Sequence, residues 1–171
     1  AAVQPVLPGR IGEQSSASTI IGVLFGIAAL VGIIANPIVG HLMTSTTPRL
    51  LVGAGIVAVA AALLVIGWSS ELWQFGIGMG LLGLSSAMLL APATTLISEQ
   101  GFRSEPPTLG GSFALYNLAY AAGLTIGPLL TGFGVQQTGF TTAMAITALV
   151  FAVLGGVALV RLPAGLARTT E

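Results

Sequence analysis

The sequence predicts an all-α fold, a multi-pass transmembrane helical bundle, and three observations predict it. Hydrophobic residues make up 54% of the chain and charged residues 6%, with a mean hydropathy of +0.99, a balance far from that of a soluble domain. The charged side chains are Arg10, Glu13, Arg49, Glu71, Glu99, Arg103, Glu105, Arg161, Arg168 and Glu171, and the gaps between them are long enough to cross a bilayer, which takes about 20 residues. Short polar turns separate the gaps, so one span follows another with little between.

AAVQPVLPGRIGEQ is a short apolar run broken by Pro5 and Pro8 and closed by Arg10 and Glu13, as at the end of a helix. The first full span is expected over about 18–43, with Asn36-Pro37 near its far end. After the polar turn TSTTPR, the second covers 50–68. The SSELW turn leads into a third over 72–97, and Trp68 and Trp73 flank that turn as interfacial aromatics do. SEQGFRSEPPT reads as the longest polar loop, 109–132 as the fourth span, GVQQTG as a tight uncharged turn, and 139–160 as the fifth span. Together these spans and the preceding helix end form a single transmembrane unit over 1–171.

Arg49, Arg103, Arg161 and Arg168 fall on one side of the alternating loops and only Arg10 on the other. The positive-inside rule makes that side cytoplasmic and places the C-terminus there, in a multi-pass protein of the cell membrane. Ala1 to Glu13 lacks the basic leader and apolar core of a signal peptide, and the chain does not open with Met. The expectation is a piece of a longer protein, with at least one helix preceding AAVQPVLP.

The fourth span, GGSFALYNLAYAAGLTIGPLLTG, is the one with a working face. Phe113, Asn117, Tyr120 and Leu124 recur at helical spacing, so an amide and a phenol share a stripe where lipid favours hydrocarbon. Gly123 and Gly127 leave a groove for another helix, and Pro128 removes a backbone donor. Phe25, Gly32 and Pro37 of the first span are matched by Tyr116, Gly123 and Pro128 of the fourth, each pair 91 residues apart. The two spans run in opposite directions, as in an inverted-topology repeat.

Other chemistries find little support. Without Cys there is no disulfide framework and no thiolate metal site, and with zero net charge there is no electrostatic surface for nucleic acid. One His and no buried carboxylate cannot build a carboxylate-rich metal site, so neither metal nor cofactor is expected. Ser85 and Ser86 lie within a span and lack a G-x-S-x-G turn, whereas His41 lies at a rim. A serine hydrolase needs these groups together, so no catalytic residue and no enzymatic activity are expected.

These residues resemble the C-terminal half of a major facilitator superfamily transporter, closest to the drug:proton antiporters and vesicular amine transporters. AAVQPVLP is similar to the end of that family's seventh helix, and the five spans to its eighth to twelfth. The most specific match is the eleventh-helix pattern, carried by Gly110, Gly111, Asn117, Gly123, Gly127, Pro128 and Gly132. Gly40-His41-Leu42 and Pro48-Arg49 retain part of the loop signature between the eighth and ninth helices. Two departures stand out: the amine transporters carry carboxylates at the positions of Asn117 and near Ser85 to Ala87, and this chain has none. The third span shows Met79, Leu82 and Gly83 where the N-terminal half would carry its fourth-helix Arg, which also favours the C-terminal half.

The resemblance implies a secondary transporter that exports small amphipathic or cationic organic molecules in exchange for protons. Its partners would be that small-molecule substrate, the lipid bilayer and the missing N-terminal half, where a proton-coupling carboxylate would lie. Phe113, Tyr116, Asn117, Tyr120 and Gln4 are the candidate substrate-binding residues; Gly32, Pro37, Gly123, Gly127, Pro128 and Gly132 are the candidates for helix packing and conformational change. Each has a plainer alternative. Asn117 can bond a neighbouring helix, the tyrosines can be packing residues, and Gln4 can simply end a helix. Ser85 and Ser86 are expected to bond their own backbone, and His41 to be solvated at the interface. The competing functional reading is a non-transporting membrane sensor or assembly subunit of the same fold.

Overall fold

The computed structural model describes residues 17–105 and 107–161. Within them lie five helices: α1 (Ala17–Leu42), α2 (Pro48–Trp68), α3 (Leu72–Arg103), α4 (Leu109–Thr138) and α5 (Phe140–Arg161). All five are long and apolar enough to cross a membrane. Lipid offers the backbone no partners, so a chain this apolar satisfies its own N–H and C=O groups helix by helix.

Local chemistry sets the boundaries. Pro48 opens α2 in the first turn, where its missing N–H costs nothing. At the start of α3 the Gln74 side chain accepts hydrogen bonds from the backbone N–H groups of Ser70, at 2.7 Å, and Glu71, at 3.2 Å. Two of the expected boundaries are corrected. The third span does not end near Ile97: α3 continues through Ser98, Glu99 and Gln100 to Arg103, leaving a loop of only 104–108. GVQQTG is likewise no turn, because α4 continues to Thr138 and Gly139 alone connects it to α5. Gly139 has φ +83, a conformation glycine adopts freely, and its N–H donates to Val135 O at 2.9 Å. In both places polar residues extend a helix beyond the apolar core rather than ending it.

Small residues make the packing. A Cβ on Gly83 of α3 would collide with the Ala28 carbonyl of α1, and one on Gly78 would collide with Ile66 of α2. Gly155 of α5 lies under Ile56 of α2, and Gly67 of α2 under Met144 of α5. Thr141 Oγ1 also donates to Gly67 O at 2.8 Å, a side-chain bond between α2 and α5. A core of Leu24, Leu63, Ile66, Phe75, Met79, Phe140, Met144 and Ala148 joins α1, α2, α3 and α5. A second cluster, Ala35, Val39, Leu51 and Ala87, ties α1 and α2 to α3 nearer the Arg49 end.

The fourth helix stands apart. Of its 30 residues only Thr131 is buried, and it touches α3 and α5 more sparingly than α3 touches α1 and α2. Leu115, Leu118, Ile126, Leu129 and Phe133 are all exposed along it.

Candidate functional site

The α4 stripe divides into two parts. Tyr116 and Tyr120 stack with ring centroids 6.1 Å apart and planes at 18°. With Ala119 they form one wall of a recess of about 370 Å³, closed by Val52 of α2 and by Leu89, Leu90, Ala93 and Leu96 of α3. Phe113 is half-buried, and Asn117 lies on the exposed surface. Among the described residues Asn117 has no side-chain hydrogen bond, so its amide serves none of the five described helices. Gln4 lies outside the described residues.

The expected packing positions also separate. Gly32 sits against α3, where an added Cβ would lie 3.5 Å from Gly83 O and 3.8 Å from Ser86 Oγ. One turn on, Asn36 Nδ2 donates to Gly32 O at 2.9 Å, and Pro37 is accommodated inside α1. Gly123, Gly127 and Gly132 have nothing within 4 Å of an added Cβ. Pro128 lies inside α4, half-buried, without ending it. The paired positions Gly32 and Gly123 thus have different surroundings: one is filled by α3 and the other is open.

Ser85 and Ser86 donate to the backbone carbonyls of Leu82, at 2.9 Å, and Gly83, at 2.7 Å, within their own helix. His41 is exposed at the end of α1. Sequence reasoning missed Gly83 as the closest approach between helices; the crowding of Gly76, Gly78, Gly80 and Gly83 on α3 was the available signal. It also missed Glu99, which was assigned to a loop. Because α3 continues past it, Glu99 is held at the helix end with Oε2 buried and unbonded among the described residues.

The α4 and α5 helices form a further cleft of about 510 Å³. Gly127, Leu130, Thr131, Gly134 and Thr138 line one side, and Ala143, Ile146, Thr147, Val150, Phe151 and Leu154 the other. Thr138 and Thr147 donate to carbonyls one turn back in their own helices. Thr131, 5% exposed, donates to none of the described residues.

The family model of the Major Facilitator Superfamily matches residues 1–170. The chain belongs to that superfamily. It is a family of membrane transporters, not of enzymes. The chain is 29% identical over 151 residues to the human protein named MFS-type transporter SLC18B1, which covers 81% of this chain. It spans about a third of the length of that relative, 33%. No solved structure matches it significantly.

Proposed function

We propose that this chain is the C-terminal half of a secondary transporter that moves small amphipathic or cationic organic molecules out of the cell in exchange for protons. The observation that carries the reading is the loose seating of α4, on which only Thr131 is buried and Asn117 is exposed and bonds to no described residue. In a superfamily transporter an N-terminal half would cover such a face, leaving a cavity between the halves. Counting about 1.5 Å per residue from Leu109, Asn117 lies roughly 12 Å and Tyr120 roughly 17 Å into a hydrocarbon core about 30 Å thick, near the level at which such proteins hold substrate.

Within that cavity Phe113 and the exposed half of Tyr120, which share the stripe of Asn117, would meet a cationic ligand by ring-face attraction, worth about 0.5 to 2 kcal/mol per contact, whereas Tyr116 faces the recess against α3. Asn117 would donate or accept a hydrogen bond but cannot release a proton, so the coupling carboxylate would come from the other half. The name of the human relative supports transport, and the arginines support a cytoplasmic location for the ends of α3 and α5.

The test is flux. In vesicles containing the full-length protein, an inward proton gradient should drive a lipophilic cation outward, and collapsing the gradient should stop it. Binding of the cation without any translocation would instead support the sensor reading.

A further inference from the structure

We infer that the α4–α5 cleft holds an acyl chain of an anionic phospholipid whose phosphate is met by Arg161. The cleft is walled mainly by carbon and lies between two membrane-spanning helices. On α5 its lining residues Thr147, Val150 and Leu154 form one stripe, and Arg161 follows Leu154 by seven residues, about two turns, which returns it to the same stripe. The stripe therefore ends in a guanidinium. Extending 22 residues, α5 is about 33 Å long, which puts Arg161 at the headgroup level of the bilayer.

Charge selects the occupant. Arg161 is the sole charged residue on α4 and α5, neither helix carries an acid, and among the described residues no carboxylate pairs with it. Arg49 opens α2 at the same end of the bundle, where Gly53 lies against Leu159, and with Arg103, Glu99 and Glu105 also at that end the described charges there, three Arg and two Glu, sum to +1. Glu99, Arg103 and Glu105 belong to α3 and the loop beyond it. On the α4 side the cleft reaches from Thr138 to Gly127. An apolar slot with a cation about 10 Å beyond its end on the same stripe matches a lipid with a negative headgroup, the phosphate at Arg161 and the chain running down the stripe into the slot.

Full-length protein in nanodiscs containing a photoactivatable phosphatidylglycerol, with phosphatidylcholine as competitor, tests this. Crosslinks on the unaltered protein should fall within 127–138 and 146–155; crosslinks confined elsewhere would overturn the assignment. Arg161→Gln should lower the preference for phosphatidylglycerol about fivefold, as expected for one arginine at a membrane surface. Arg161→Lys should retain most of it, and Leu154→Trp should block chain entry with Arg161 intact. An unchanged preference in Arg161→Gln would sink the proposal, as would displacement of the crosslink by soluble glycerol phosphate, which marks a site for free anions. Thr131→Val keeps the shape of the cleft and removes its unbonded hydroxyl, so it should leave the crosslink unchanged. A loss there would assign the cleft to a polar cargo instead.

Discussion

Asn117 and Gly83 lie at opposite extremes of exposure, and substituting them separates ligand contact from packing. Asn117 bonds to no described residue, so Asn117→Leu should weaken transport and leave expression near the parent level, because only a ligand bond is lost. Asn117→Asp should fold and favour cationic substrates, since a carboxylate in a watered cavity can ionise. Flux assays with charged and neutral substrates, read beside expression level, check both. A misfolded Asn117→Asp together with an unaffected Asn117→Leu would move the stripe from the cavity into the packing. At Gly83 the added methyl meets the rigid backbone carbonyl of Ala28, so Gly83→Ala should cost about 1 to 3 kcal/mol of stability as α1 is pushed away. Gly123→Ala meets open space in this chain and should stay within about 0.5 kcal/mol of the parent, unless the other half packs there. Thermal melts of the two variants side by side give the comparison.

At the scale of helices, the sequence announced every span but not every end. A run of apolar residues between charges can be read directly because the bilayer demands it. Ser98-Glu99-Gln100 and Val135-Gln136-Gln137 resemble loops in composition, yet both are helical, because a helix leaving the membrane needs only backbone bonds to go on. Close helix contacts were harder to read than spans. Glycine spacing pointed to Gly123 and Gly127 as readily as to Gly83, and only the assembled bundle shows which glycine has a neighbour. The candidate site was legible as a stripe, but the turning of Tyr116 and Tyr120 toward α3 and of Asn117 away from it depends on how α4 rests on its neighbours. The Gly139 connection supplies a test at this scale. Gly139→Ala forces a side chain into a backbone conformation, φ +83 and ψ 165, that is essentially reserved for glycine and should cost about 1 to 3 kcal/mol, seen as a lower midpoint of thermal unfolding.

For the whole molecule, four helices share a core while α4 offers its length to something else. Expressed alone, the chain should insert, yet unfold without cooperativity and be cut first in the 104–108 loop, because little apolar surface holds α4 in place. Co-expression with an N-terminal half should restore a sharp transition. A monodisperse monomer that melts cooperatively by itself would show that α4 needs no partner. Topology can be mapped in the same preparations, since the chain has no native Cys to interfere. A cysteine at Ser45 should react only from the cytoplasmic side and one at Ser70 only from outside; the reverse would overturn the orientation given by the arginines.

The single-residue link at Gly139 constrains how α4 can move. A tether that short permits almost no sliding, because one residue spans at most about 3.5 Å. What remains is tilting, with Gly139 as the fulcrum. Tyr116 lies 23 residues from that fulcrum, an arm of about 34 Å, so a tilt of about 5° would carry its ring some 3 Å. Near the pivot, where Gly134 meets Ala143, the same tilt would scarcely register. The far end of α4 is tied as well, by the 104–108 loop and by Leu109 and Ser112 packing on Gly101, so a tilt of α4 would have to carry the end of α3 with it and would open or close the recess between the stacked tyrosines and Leu89 and Leu90.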